Sequence, residues 1–263
     1  MKLPLGTAAS TVAALGAVFL TLVAAPATAS AAETVALHTS FSPDRLGAST
    51  TIGFGFEIAN TDGGLPAPLQ SLSLHLPPGI DYLTTTLGLA ICQPAALLAE
   101  GLAGCSPNSR LGHGSAYVEV PFGASSGGEI PDIEALMGPP HGQNIVVLFY
   151  ADGREPIDAQ IVFQGELIAG SQTLGGSLDA AVPLIPSVAG GPPVSIIRVS
   201  ATIGPADLTY YEHVHGHTIS FHPKGVSVPQ RCPRGGFPFS AQFAFQDGTS
   251  VLARSIVPCP RRR

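Results

Sequence analysis

The chain has 263 residues, of which 45% are hydrophobic and only 11% charged, with a formal net charge of −6. Ordinary soluble domains carry roughly 25% charged residues, and a negative balance argues against nucleic acid or acidic lipid as a partner. The 31 glycines and 25 prolines make the chain rich in turns, yet stay below the roughly 25–30% that marks a structureless sequence.

Residues 1–31 read as a secretory signal peptide. Lys2 gives a short positive start, "LGTAASTVAALGAVFLTLVAA" is uncharged and apolar, and Ala29-Ser30-Ala31 offers a small-x-small cleavage pattern before Ala32. The alternative is an uncleaved membrane anchor, since the apolar stretch approaches spanning length; Pro26 and the cleavage pattern favour removal. No cysteine lies near the site, which disfavours a bacterial-type lipid anchor. Removal of 31 residues from 263 leaves 232, and loss of Lys2 takes the net charge from −6 to −7. No later stretch reads as a transmembrane segment. The expected location is secreted, extracellular or at the cell surface.

From residue 32 onward, apolar residues recur with period two, the mark of half-buried antiparallel strands. Ile52, Phe54, Phe56 and Ile58 share one face of "TTIGFGFEIA", with Gly53, Gly55 and Glu57 on the other. Leu72, Leu74 and Leu76 do the same in "QSLSLHL". "QPAALLAEGLAG" departs from this pattern: Pro94 at a first turn, then Ala and Leu, then Gly101, predict a short helix between Cys92 and Cys105. A bridge between those cysteines would pin the helix at its base. "FGASSGGEIPD" is either a linker between two domains, dividing the chain near 121–130, or a loop between strands; the loop reading is preferred. "NIVVLFY" and "PVSIIRVSATI" read as central strands. With "DG", "GG" and "PPG" turns between them, about a dozen strands are expected, as an antiparallel β-sandwich or jelly roll over 32–263.

"YYEHVHGHTIS" puts His213, His215 and His217 at alternate positions, with His222 beyond. On one straight strand they would form a row able to hold a metal. A hairpin turning at His215-Gly216 sorts the segment better. It pairs Tyr210 with Phe221, Glu212 with Ile219 and Val214 with His217, and separates His213 from His217. These four histidines are therefore weak metal candidates, and no metal or other cofactor is expected.

At the C-terminal end, "FPFSAQFAF" alternates Phe237, Phe239, Phe243 and Phe245. A two-residue turn at Asp247-Gly248 would set Phe243 opposite Leu252 and Phe239 opposite Ile256, with Gly236 opposite Cys259. Cys232 lies four residues further on, so Cys232–Cys259 is the favoured bridge. The other connectivities remain open, and zinc is disfavoured because no two cysteines have CxxC spacing.

Catalytic signals are weak. "GASSG" matches the nucleophile elbow around Ser125, but Pro131 and no helix follow. His113 near Ser115 is adjacency rather than a triad. Asp132 and Glu134 in "PDIE" have a spacing that could place both on one strand face; glycoside hydrolysis needs two such acids flanking the bond it cleaves, but solvated strand acids look the same in sequence. No phosphate loop, dinucleotide fingerprint or calcium loop is present.

With "LPPG" at 76–79, "CSPNSRLG" from Cys105 and "CPRGGFPFSAQFAFQDGTSVLARSIVPCP" from Cys232, the chain resembles exported cysteine-containing β-rich proteins of unknown function from actinobacteria. "CSPNS" departs from the "CP" beside Ser expected there. The resemblance implies an exported β fold and no reaction. The leading expectation is a non-enzymatic binding or structural protein with an unknown extracellular or envelope ligand. The alternatives are an exported hydrolase acting on polysaccharide or peptide and, more weakly, a metal-binding protein using the His213–His222 hairpin.

Overall fold

The computed structural model describes residues 32–80, 86–170 and 175–260; the signal-peptide reading for 1–31 and the terminal arginines lie outside the described residues. The protein is 54% strand and 6% helix, so the all-β reading holds. Fifteen strands are formed among the described residues. The first six are β1 (Glu33–Ser42), β2 (Ser49–Asn60), β3 (Leu69–His75), β4 (Arg110–Phe122), β5 (Ser125–Glu129) and β6 (Asp132–Met137). The next four are β7 (Ile145–Gly153), β8 (Ala159–Ile168), β9 (Ser177–Ala181) and β10 (Ser195–Ile203). The last five are β11 (Tyr210–Val214), β12 (His217–Phe221), β13 (Val226–Ser227), β14 (Phe237–Phe245) and β15 (Ser250–Val257).

Thirteen of them form one sheet whose main path runs β1-β2-β10-β4-β6-β7-β8-β9-β3-β14-β15, with β5 beside β4 and β13 beside β2. Its ladders are antiparallel throughout. The two ends of the path come together: β1 lies along β15, and the Thr39 hydroxyl donates to that of Ser255 at 2.9 Å. The layers of the expected sandwich are thus two halves of a single sheet curled on itself into an eleven-stranded barrel whose end strands, β1 and β15, meet side by side without a backbone ladder. Within the segment 121–130 a tight hairpin joins β4 to β5, with Phe122 paired to Ser125.

The interior is filled unevenly. Along β1, β2 and β14, Phe41, Phe56, Phe237, Phe239, Phe243 and Phe245 are all 6% exposed or less. Their rings meet edge-on or tilted, Phe56 and Phe243 at 5.0 Å and Phe41 and Phe237 at 5.4 Å. This half is a solid core. One end of the barrel is also sealed, by described residues of the connections that follow β3 and β10. There Ile80, Leu208, Val226 and Val228 are buried, and fully buried Tyr210 donates to the Arg110 carbonyl and accepts from Gly88 N–H.

The helix forms where predicted, α1 at Pro94–Glu100 with Pro94 in its first turn. Cys92–Cys105 closes the loop around it. It packs on the outside of the barrel, burying Leu97 against Leu136, Val146, Leu148 and Tyr150.

The second bridge is Cys232–Cys259, but the hairpin register that suggested it is one residue off. Phe243 faces Val251, not Leu252, and Phe237 faces Val257. The connection is a three-residue loop, Gln246-Asp247-Gly248, closed by Phe245 N–H to Thr249 O. Gly248 sits at φ +86°, as the third position of such a loop requires. The Asp247 carboxylate accepts from both the Thr249 amide and hydroxyl, which holds its pKa below the ordinary range. Because side chains alternate, this single step turns Leu252 and Ile256 outward and puts Ala253 and Val257 in the core.

Candidate ligand-binding chamber

The other half of the barrel is hollow. Inward residues of β2, β3, β4, β6, β7, β8, β9 and β10 enclose a cavity of about 310 Å³. Eleven strands give a wider barrel than side chains alone fill; about eight is the size at which they do. The residues on this half keep the space open. Where β14 presents phenylalanines, the chamber wall presents Ala116, Ala151, Ala159, Ala180 and Ala201. Ile, Val and Leu make up most of the rest, with Phe149 and Phe163 stacked at 5.0 Å on neighbouring strands. None of β1, β14 or β15 contributes.

Among the described residues one lining residue is polar: Glu129. It ends β5 and is 8% exposed. Its Oε1 accepts the Arg154 backbone N–H at 2.7 Å, which ties the carboxylate to the turn after β7. The Arg154 guanidinium points elsewhere and pairs with Asp152 at 2.9 Å. Glu129 stands at the end of the barrel opposite the Tyr210 seal. At its own end the covering segments are 61–68, joining β2 to β3, and 182–194, joining β9 to β10. The second crosses with Ile185 and Val194 turned into the chamber and Leu184 and Val188 exposed outside.

The residues singled out from sequence all lie away from this space. Ser125 is exposed at the start of β5, its hydroxyl donating to the Phe122 carbonyl, with no helix after it. His113 and Ser115 share the outer face of β4, with His113 3.9 Å from Asp207. In the His hairpin the predicted register is observed, with Val214 paired to His217 and Glu212 to Ile219. His215 and Gly216 have φ of +48° and +81°, values a primed two-residue turn requires. His213 bonds Thr218 at 3.1 Å, whereas His222 bonds the Leu208 carbonyl at 2.9 Å. Among the described residues no three His, Cys, Asp or Glu side chains group around a point that could hold a metal.

Asp132 and Glu134 do share a face, the outer one, since Ile133 between them lines the chamber. Glu134 is paired across the sheet with His113 on one side and Tyr150 on the other, and its Oε2 is buried without a hydrogen-bond partner. Burial pushes its carboxyl above the usual range and Asp132 adds to this, against the opposing pull of Arg110 and His113. In the fold the charged form is therefore penalised. That penalty is absent below the unfolded pKa of about 4.3 and complete once pH exceeds the raised folded value. Glu134→Gln is expected to stabilise the protein at pH 8 by on the order of 1 kcal/mol, with no gain at pH 4. Urea melts at the two pH values measure this. A loss of stability at pH 8 would mean that attraction to Arg110 and His113 outweighs desolvation.

Sequence reasoning missed the chamber and Glu129. The available signal was the run of alanines at inward positions on β4, β7, β8, β9 and β10, against phenylalanine at the inward positions of β14. Compared with known proteins, the chain matches no family model, no curated sequence and no solved structure.

Proposed function

We propose that this protein is an exported, non-enzymatic carrier or receptor for a small hydrophobic molecule, held inside the barrel. The observation that carries the reading is the chamber. Its roughly 310 Å³ fall in the range of ligand pockets, which are concave and mostly apolar with a few placed polar groups. Open apolar space of this size costs packing that a purely structural barrel would recover by larger side chains. The outer face supports an aqueous setting, since His38, Ser40, Glu57 and Arg198 are exposed on β1, β2 and β10. Membrane-spanning barrels have the reverse polarity. Among the described residues no helix is long and apolar enough to cross a membrane. Two disulfides and the signal-peptide reading favour an oxidising compartment.

A hydrolase reading has one observation in its favour, the raised pKa of Glu134 beside Asp132. Both acids lie across the sheet from the chamber, so a substrate held there would not reach them.

The test is binding of N-phenyl-1-naphthylamine, a neutral dye that brightens in apolar surroundings. One dye per protein is expected, with at least tenfold weaker binding in an Ala151→Phe/Ala201→Phe variant that fills the space. No brightening in the wild type, or equal binding in the filled variant, would sink the reading. Should the double variant not fold, displacement of the dye from wild type by dodecane decides the same question.

A further inference from the structure

From the single carboxylate in the chamber we infer the ligand's class: a single-chain amphiphile whose head donates hydrogen bonds, an alcohol or amine, and not a carboxylic acid. This rests on the carrier reading above. Three observations carry it. Glu129 is the one polar side chain among the described residues of the lining, and it is more than nine-tenths buried. A buried carboxylate accepts and does not donate when ionised, and it favours partners that donate or carry positive charge. Its one hydrogen-bond partner among the described residues is a neutral backbone N–H, that of Arg154, while the Arg154 guanidinium is committed to Asp152. Among the described residues no cationic side chain lines the chamber to receive an anionic head. A fatty-acid carboxylate placed beside Glu129 would set acceptor against acceptor with no donor between them.

Position fixes the orientation. Glu129 is at one end of the chamber, near Pro131, Gly153 and Ile157, whereas Leu87, Met137 and Leu111 lie towards the sealed end. The head would sit on Glu129, beside the turn after β7, and the chain would run down the apolar shaft. The volume of about 310 Å³, at the lower limit for ligand pockets, suits one chain.

The experiment is displacement of N-phenyl-1-naphthylamine at neutral pH by dodecylamine, dodecanol, dodecanoate and dodecane, from wild type and from Glu129→Gln. The amide can still accept from Arg154 N–H. In wild type the amine and alcohol are expected to compete at least tenfold more strongly than dodecanoate. In Glu129→Gln the advantage of amine over dodecanoate should shrink at least tenfold while dodecane is unaffected. Equal competition by dodecanoate and dodecylamine in wild type, or an unchanged ranking in the variant, would overturn the head-group assignment and leave the carrier reading standing. Failure of the dye and of every dodecyl compound to bind would overturn both. The wild-type ranking is decisive by itself if Glu129→Gln folds poorly.

Discussion

Replacing Phe243 with Ala is expected to destabilise the protein by about 3–5 kcal/mol, the range for emptying a fully buried aromatic site. Phe243 has no exposed surface and lies at the centre of the solid half, on a strand paired on both sides, with β3 and β15. Its ring meets Phe56 edge-on at 5.0 Å, a contact that contributes roughly 0.5–1.5 kcal/mol beyond the area it buries. Neighbouring strands cannot move in to fill the gap, because the same ladders fix them to the chamber wall. Typical domains have only 5–15 kcal/mol in total, so much of the folded population is at stake. The control is Leu252→Ala on the same hairpin. Leu252 is 46% exposed, and its loss should cost less than about 0.5 kcal/mol. Chemical denaturation of both variants measures this. A Leu252 effect as large as that of Phe243 would mean that the hairpin uses the two-residue turn after all, with Leu252 in the core.

The second large effect is expected at the helix. Changing both Cys92 and Cys105 to Ala should cost about 2–4 kcal/mol, because the bridge closes a short loop in the unfolded chain. The folded state suffers as well. A seven-residue helix is too short to persist by itself, and Gln93 makes no side-chain cap. What holds it is the bridge, the Cys92 N–H to Met137 carbonyl bond at 2.8 Å and Leu97 on the outer wall. Freeing the loop should expose Leu136, Leu148 and Tyr150 while the barrel survives. Hydrogen exchange should then speed up across 92–105 and hardly change along β14. Stability within 1 kcal/mol of wild type, with exchange at α1 unaltered, would show that packing alone secures the helix.

Local chemistry was legible where it decides structure by itself. Period-two alternation marked the strands, since a strand exposes its two faces in turn. Pro94 and Gly101 marked the limits of α1. In the His segment, glycine at the only place where a tight turn needs it gave the register of β11 and β12, and with it the separation of His213 from His217. At the β14–β15 turn the same reasoning slipped by one residue. "DG" suits both a two-residue and a three-residue loop, and Asp247 accepting from Thr249 selects the longer one.

What the sequence by itself determined is therefore the class of fold, the position of the helix and which faces are apolar. Only the tertiary structure decided what those apolar faces enclose. Alternation says that a face is turned inward, not whether something packs against it. That depends on how many strands close the barrel and which walls stand opposite. Phenylalanines of β14 meet those of β1 and β2 and leave no space, while the alanines of β4, β7, β8, β9 and β10 face one another across a gap. Glu129 follows the same logic. In sequence it is one acid in a Gly-rich stretch, and it becomes the one polar side chain among the described residues of the chamber because the β4–β5 hairpin folds it over the end of β7.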